Sequence, residues 1–202
     1  MVRLIRHSSL EPEADTMVKE RPNILITGTP GTGKTSLASI VAKLSGFQHI
    51  EVGKWVKDRD LHDGWDSELS CYILNEDKVC DTLEDVLKCG GNVVDHHGCD
   101  FFPERWFDLV VVLQTENGIL YERLHQRGYE GRKLQENMEC EIMHVIIEEA
   151  RESYREEIVR ICQSNTVNDQ ERNSEMLMSF ITKDWSMLHP PPGSDEKRRK
   201  KE

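Results

Sequence analysis

One short stretch has the residue types and the spacing of a triphosphate site. Residues 28–35 read Gly-Thr-Pro-Gly-Thr-Gly-Lys-Thr and fit the pattern G-x-x-x-x-G-K-[ST], with Gly28, Gly33, Lys34 and Thr35 in the fixed places. The glycines let the backbone curl until successive N–H groups point into one concavity, where phosphate oxygens accept them. The lysine of the pattern reaches the β- and γ-phosphates, and its final hydroxyl binds Mg²⁺. An ordinary glycine-rich turn is the alternative, but we predict a site for ATP and Mg²⁺.

The residues on both sides of this stretch predict the elements that must hold it. Residues 22–27 form a short apolar run rich in β-branched side chains, which indicates a buried strand. After the stretch, apolar residues recur at the spacing of one helical face as far as Gly46, where we expect the helix to end. The positive N-terminal end of that helix would add to the phosphate site. Gly31 and Ser36 are expected to supply further donors to the same phosphates.

A second requirement is a carboxylate near the Mg²⁺, usually at the end of an apolar strand. Asp95 ends the run 92–95, whereas Asp108 precedes the run 109–113 and is expected at the opposite edge of the sheet. We therefore predict Asp95 as the metal residue. His97 is either a group that orients or deprotonates a water for hydrolysis, or a hydrogen-bonded structural residue. A zinc site with Cys99 is not favoured, because no second pair of ligands accompanies it.

Two further segments suggest moving parts around the site. Residues 121–133 hold several cations, among them Arg127, beside Gly128 and Gly131. Arginines that close from a mobile loop stabilise the charge on a transferring phosphoryl group, although a solvated helix end is the alternative. Residues 51–74 are too long for an ordinary connection between a strand and a helix and predict a binding flap.

Strands and helices alternate between these segments, which predicts an α/β fold with a parallel sheet covered by helices on both faces. Further strands are expected at residues 47–52, 92–95 and 109–113. A long helix is predicted with its apolar residues facing inward, and a last helix follows it. The long helix carries Ile142, Val145, Ile146, Ala150 and Ile158. Ligands of such sheets collect at the carboxyl ends of the strands, where the phosphate loop already lies.

Composition narrows the class of protein. The 202 residues carry a net charge of −11, which argues against direct sequence-specific nucleic-acid binding and against an anionic membrane surface. No apolar run approaches the 18 residues of a membrane span. Residues 1–20 are predicted to be a disordered tail, residues 21–188 the folded domain, and residues 189–202 a basic tail. The run Lys-Arg-Arg-Lys-Lys at 197–201 favours import into the nucleus over a merely solvated tail.

Several strings together resemble the adenylate kinase isoenzyme 6 family, a group of small nuclear kinases and ATPases that act in ribosome assembly. Besides the phosphate loop, they are Asp-Gly-Trp at 63–65, Val-Asp-His-His-Gly-Cys-Asp-Phe-Phe-Pro-Glu-Arg-Trp at 94–106, Leu-Tyr-Glu-Arg-Leu at 120–124, Arg-Gly-Tyr at 127–129 and Cys-Glu-Ile at 140–142. The match runs from about residue 22 to residue 185. The resemblance implies a P-loop NTPase with a parallel five-stranded sheet, a nucleoside-monophosphate-binding segment at about 51–74 and a short lid at about 126–136.

The resemblance also implies an activity and site residues. It implies transfer of the ATP γ-phosphate to AMP or another nucleoside monophosphate, such as CMP or dCMP, together with ATPase activity. It implies a small-subunit ribosomal protein as partner and a location in the nucleus and also the cytoplasm. ATP contacts are implied at Gly31, Gly33, Lys34, Thr35, Ser36 and Arg127, and acceptor contacts at Lys57 and Arg105. The family's strand-end motif falls on Asp95 and His97, which makes Lys34, His97 and Arg127 the expected catalytic residues.

The chain departs from the family at four positions. Lys54 and Lys57 stand where the family often has aspartate and arginine, so the acceptor flap is expected to differ. Gln114 replaces a frequent arginine, and the loop at Thr166 lacks a lysine that relatives often carry. The alternative function is an assembly factor whose ATPase cycle switches its binding to a ribosomal protein, with kinase activity secondary.

Overall fold

The structure is a computed structural model that describes residues 19–188. Its seven strands are β1 (Asn23–Thr27), β2 (Gln48–Glu51), β3 (His62–Asp66), β4 (Cys71–Leu74), β5 (Asn92–Asp95), β6 (Leu109–Gln114) and β7 (Val159–Gln163). Five of them form a parallel sheet in the order β2-β5-β1-β6-β7, and β3 and β4 form a separate antiparallel hairpin. The predicted five-stranded parallel sheet is confirmed.

Eight helices surround the two sheets within the described residues. They are α1 (Lys34–Ser45), α2 (Val52–Asp58), α3 (Glu76–Lys88), α4 (Asn117–Gln126), α5 (Gly131–Ile142), α6 (Val145–Ser153), α7 (Val167–Ser179) and α8 (Trp185–Leu188). Short 3₁₀ turns lie at Glu104–Trp106 and Glu156–Ile158, and a π-helical turn at Phe180–Asp184 follows α7. The predicted flap at 51–74 is thus an ordered unit, made of α2 and the β3–β4 hairpin.

Helices cover both faces of the five-stranded sheet, as the apolar strands predict. Because side chains alternate along a strand, Leu25 of β1 packs on one face, with α3 and α6, while Ile24 and Ile26 pack on the other, with α1 and α7. All three side chains are fully buried. Burial of such a side chain contributes about 1.5–3 kcal/mol. The sheet is therefore a rigid platform, and the loops at its carboxyl ends are held in fixed positions.

The predicted long helix is wrong. The chain breaks at His144, which adopts a left-handed conformation with φ 57°, so α5 and α6 are separate helices. As a result Ile142 and Val145 are 52% and 38% exposed instead of facing inward. Ile158 is buried, but in a 3₁₀ turn that leads into β7, a strand that the sequence patterns did not indicate. Glu148 and Arg151 form an ion pair on the surface of α6 (2.8 Å).

The predicted tails lie largely outside the described residues. Residues 1–18 and 189–202 are not described, and with them the basic run at 197–201. Lys19 belongs to the fold and not to the tail, because its Nζ donates to the Trp106 carbonyl (2.8 Å) and pairs with Asp108 (3.2 Å). The Glu20 carbonyl likewise accepts from the Trp185 indole N–H (3.3 Å). Between residues 19 and 188 no helix is long and apolar enough to cross a membrane.

Candidate functional site

The phosphate loop, residues 28–35, runs from the end of β1 into α1. Gly28 has φ 137°, and a Cβ there would lie 2.5 Å from the carbonyl oxygen of Leu113, so only glycine fits against β6. Gly33 has φ 96° and precedes the first residue of α1. Lys34 is 9% exposed, and its Nζ donates to the carbonyl oxygens of Gly28 (2.7 Å) and Thr29 (3.1 Å). The loop is curled as the motif requires, with its lysine folded across it.

A cavity of about 300 Å³ lies against this loop, and we call it the phosphate-loop cavity. It is lined by Pro30, Gly31, Gly33, Lys34, Thr35, Ser36, Glu51, Gly53, Asp95, His96, His97, Arg127 and Tyr129. All eight residues that the sequence assigned to ATP, Mg²⁺ or catalysis are in this set. Residues that are up to about 100 positions apart in the chain therefore meet at the carboxyl end of the sheet, as the topology of a parallel sheet requires.

Asp95 has the position and the unsatisfied oxygen that a metal residue needs. It ends β5 in register with Ile26 of β1, directly beside the phosphate loop, and is 4% exposed. Its Oδ2 is buried and accepts no hydrogen bond from the described residues, although His49 Nε2 lies 3.6 Å away. Mg²⁺ prefers oxygen ligands and is held by one or two protein groups together with phosphates and waters. Asp95 and the exposed Thr35 hydroxyl fit such an ion.

The phosphate-loop cavity is lined by two cations, Lys34 and Arg127, and by two carboxylates, Glu51 and Asp95. Burial lowers the pKa of Lys34 to about 8, Asp95 opposes this shift, and Arg127 adds to it. Arg127 directly follows the last residue of α4, and its exposed side chain lines the cavity. Two cations in a partly enclosed cleft attract a polyphosphate and stabilise the charge that spreads over a transferring phosphoryl group.

Two neighbouring histidines form the floor of the cleft. His96 is buried, its Nδ1 lies 3.0 Å from the Gly98 carbonyl oxygen, and its ring is 4.3 Å from that of His97. His97 is open to the cavity. Enclosure by the cleft walls and the charge of Lys34 lower the pKa of His97 to about 4, with Asp95 opposing. His97 is therefore neutral at pH 7 and can accept a proton or a hydrogen bond from a water in the cavity.

A second cavity of about 580 Å³ adjoins the first, and we call it the hairpin cavity. It is lined by Pro30, Gly53, Val56, Trp65, Leu69, Ser70, Cys71, Tyr72, Leu74, His96, His97, Tyr129, Lys133, Glu136 and Asn137. Five of these residues, including His97 and Tyr129, also line the phosphate-loop cavity. Trp65 and Tyr72 offer aromatic rings, packed edge to face at 5.0 Å. The two cavities are chambers of one cleft, with His97 at their border.

The start of α5 closes the hairpin cavity from the side of the predicted lid. Arg132 pairs with Glu68 in the turn of the β3–β4 hairpin (2.8 Å), and Lys133 Nζ donates to the Ser70 carbonyl (3.2 Å). The connection from α4 to α5 is only residues 127–130, and Gly128 has φ 77°. The predicted lid is therefore a short link followed by the first turn of α5, and it contacts the flap directly.

The two predicted acceptor residues lie away from the cavity walls. Lys57 is exposed on α2, four residues after Gly53, which lines both chambers. Its acceptor role stays a prediction. Arg105 lies away from the predicted site, because its guanidinium forms an ion pair with Glu84 (2.8 Å) and its carbonyl oxygen accepts a hydrogen bond from Lys19. This region includes Asp108, which precedes β6 at the opposite edge of the sheet, as expected.

Other residues of the cleft were missed from the sequence. Glu51 ends β2 in register with Asp95, so the rule that sites form at strand carboxyl ends was enough to find it. Tyr129 lies two residues after Arg127 in a string that the resemblance used. Glu141 is buried behind the phosphate loop, and its carboxylate accepts from the Thr29 hydroxyl (2.5 Å). Glu141 lies in the string at 140–142 that the resemblance used, but the sequence predicted neither its burial nor a role for it.

Comparison with known proteins agrees with this geometry. A family model described as AAA domain matches residues 24–144. The chain is similar to proteins described as adenylate kinase isoenzyme 6 homologs from three organisms. The Dictyostelium discoideum protein is 57% identical over 163 residues, which is 81% of this chain and 93% of the relative. The Caenorhabditis elegans protein is 51% identical, over 79% and 88%, and the Drosophila melanogaster protein 48%, over 74% and 83%.

Solved structures share the fold at low sequence identity. A shikimate kinase from Acinetobacter baumannii in complex with shikimate has a TM-score of 0.57 at 14% identity, over 82% of this chain and 96% of the other. A gluconokinase from Sinorhizobium meliloti has a TM-score of 0.55 at 13% identity, over 85% and 99%. At these identities the likeness is one of fold, a phosphate-loop α/β domain.

Proposed function

Because this chain carries an AAA domain and belongs to the adenylate kinase isoenzyme 6 family of kinases, we propose that it transfers the γ-phosphoryl group of ATP to AMP. The observation that carries the proposal is the pair of adjoining chambers. One has the curled loop and the cations that suit a triphosphate. The other has aromatic rings that suit the base of a second nucleotide. The γ-phosphate of a nucleotide in the first chamber would lie toward the second.

The proposed mechanism uses positioning and charge. When bound, Mg²⁺·ATP supplies the phosphoryl group, and the ion neutralises part of its charge. Thr35 and Asp95 would hold the ion. Lys34 would exchange its two loop carbonyls for phosphate oxygens, and Arg127 would stabilise the equatorial oxygens from the lid side. The acceptor phosphate is its own nucleophile, so transfer requires no base from the protein.

His97 fits a second activity, hydrolysis of ATP. It is neutral at pH 7 and open to the cavity, so it can orient a water or take its proton. We therefore propose that His97 acts in the ATPase reaction, which proceeds when no acceptor fills the hairpin cavity. On this basis the protein partitions ATP between two reactions at one site.

A role in maturation of the small ribosomal subunit is a further proposal, in which the nucleotide cycle switches binding to a ribosomal protein. The net charge of −11 favours it, because an acidic surface complements a basic partner. The basic run at 197–201 would direct the protein to the nucleus, with a further population in the cytoplasm.

An acceptor screen tests the kinase proposal. ATP is incubated with AMP, CMP and their deoxy forms, and the products are separated by chromatography beside an ATP-only reaction. We expect two ADP per ATP consumed with AMP, and Lys34→Ala to lose both reactions. Equal ADP formation with and without every acceptor would refute the kinase proposal. Stimulation of the ATP-only reaction by a basic small-subunit ribosomal protein would then favour the assembly ATPase.

A further inference from the structure

Glu141 is an unusual residue for its helix. Within α5, all of which the structure describes, Glu141 alone is buried, and it is 6% exposed. Placing an ionised carboxylate in the interior costs several kcal/mol unless hydrogen bonds compensate it. An apolar residue would bury this point of the helix at no such cost, so the acid calls for a reason other than packing.

Both oxygens of the Glu141 carboxylate are used. Oε2 accepts from the Thr29 hydroxyl (2.5 Å), and Oε1 accepts from the backbone N–H of Thr115 (2.7 Å) at the end of β6. Thr29 and Thr115 are 1% and 2% exposed, so the bridge is closed to solvent. None of these three residues lines the phosphate-loop cavity. The bridge therefore lies behind the loop, on the side away from the proposed nucleotide.

Thr29 is the residue through which this bridge reaches the loop. Its carbonyl oxygen accepts from the Thr32 N–H (3.2 Å), the Thr32 hydroxyl (2.9 Å) and Lys34 Nζ (3.1 Å). Three contacts that shape the curl thus converge on a residue whose side chain is held by Glu141. The other end of α5 carries Arg132 and Lys133, which contact the β3–β4 hairpin. One helix joins the phosphate loop to the wall of the hairpin cavity.

We propose that Glu141 is a positioning residue that fixes the phosphate loop, through Thr29, in register with α5 and the hairpin cavity. This inference rests on the proposed kinase function for its effect on rate, but the contact itself is independent of that function. A displacement of reacting groups by about 1 Å can cost 10²-fold in rate. Loss of the bridge lets the loop move relative to α5, so it lowers kcat more than it raises the KM for ATP.

Two pairs of variants test the bridge. Thr29→Val keeps the volume and removes the hydroxyl, and we expect a fall in kcat of roughly 10- to 100-fold. Thr29→Ser restores a hydroxyl and should recover most of the rate. Glu141→Leu should lower kcat by about as much as Thr29→Val does. Glu141→Gln should recover most of the rate, because its carbonyl can accept from Thr115 N–H while its amide donates to the Thr29 hydroxyl.

Hydrogen exchange of the backbone amides at residues 28, 29 and 31–33 gives a readout that needs no transfer activity. With a non-hydrolysable ATP analogue and Mg²⁺ bound, we expect faster exchange there in Thr29→Val and Glu141→Leu, with β1 unchanged. Faster exchange throughout the sheet, or unchanged loop exchange with normal kcat, would overturn the inference. Equal losses in Glu141→Gln and Glu141→Leu would also overturn it. If the wild-type protein transfers no phosphate to any acceptor, the kinase proposal fails. The hydrogen-exchange result then still shows whether Glu141 holds the phosphate loop through Thr29.

Discussion

Lys34 gives the most quantitative prediction, because its buried charge has a cost that can be measured without any ligand. Its pKa is lowered from 10.5 to about 8, mainly by burial, with Asp95 opposing. At 1.36 kcal/mol for each pH unit, keeping Lys34 charged in the folded protein costs roughly 3 kcal/mol at pH 7. A nucleotide phosphate would remove much of this cost, so the lysine is preorganised for an anion at the expense of stability.

Between pH 8 and 10.5 the unfolded chain holds the Lys34 proton and the folded protein has released it. The free energy of unfolding therefore rises with pH across this window, by up to roughly 3 kcal/mol from this one group. Lys34→Met has no such proton. The free energy of unfolding of the wild type minus that of the variant should increase from pH 7 to pH 10, and at pH 7 the variant should be at least as stable.

Urea denaturation of the nucleotide-free proteins at pH 7, 8.5 and 10 measures this difference. Lys43→Met, on the exposed face of the same helix, is the matched control for loss of one lysine. Saturating Mg²⁺·ATP at 100 times its Kd should stabilise the wild type at pH 7 by about 2.7 kcal/mol and Lys34→Met far less. If the difference in the free energy of unfolding between wild type and Lys34→Met stays constant from pH 7 to pH 10, Lys34 does not carry a buried charge with a lowered pKa.

Three further predictions concern the cleft. Asp95→Asn should lower the rates of transfer and hydrolysis by about 10²- to 10³-fold and raise the Mg²⁺ concentration needed for the half-maximal rate. An unchanged Mg²⁺ titration would contradict the role of Asp95 as a metal ligand. His97→Ala should lower the rate of hydrolysis by about 10²-fold or more and the rate of transfer much less, measured as ADP formed without and with AMP. Equal losses of the two rates would contradict the proposal that His97 orients or deprotonates the attacking water. Glu68→Gln and Arg132→Gln should each raise the KM for the acceptor by about two- to fivefold, because an exposed ion pair contributes at most about 1 kcal/mol. If the effects of the two substitutions add in the double variant, the two residues do not act as an ion pair.

The parts of the site that the sequence predicted are those that local patterns determine. The curl at Gly28 and Gly33 is required by the motif itself, and Asp95 follows from an apolar run that ends in an acid. A parallel sheet then brings strand ends to one edge, so these separate patterns meet in space without further information. His97 and Arg127 were placed correctly in the cleft for the same reason, because each lies within a few residues of a strand or helix end.

The predictions that failed for β7, Arg105 and Glu141 share a physical cause. At these positions the structure is determined by contacts between residues that are far apart in the sequence. β7 was missed because the apolar residues before it repeat at helical spacing as far as Ile158, but it pairs with β6, about 50 residues earlier, as an edge strand. Arg105 follows the site motif in sequence, yet the chain turns back after β5 and leaves the guanidinium on Glu84 at the other edge. Glu141 became informative only when α5 was seen to pack behind the phosphate loop.

The central claim is that the two chambers hold the donor and the acceptor of one reaction. The structure of the protein with Mg²⁺ and a bisubstrate analogue, two adenosines joined by five phosphates, tests it most directly. We expect one molecule per chain, with phosphates on Lys34 and Arg127 and one adenine beside Trp65 and Tyr72. An analogue confined to the phosphate-loop cavity, with the hairpin cavity unfilled, would contradict the assignment of the hairpin cavity to the acceptor.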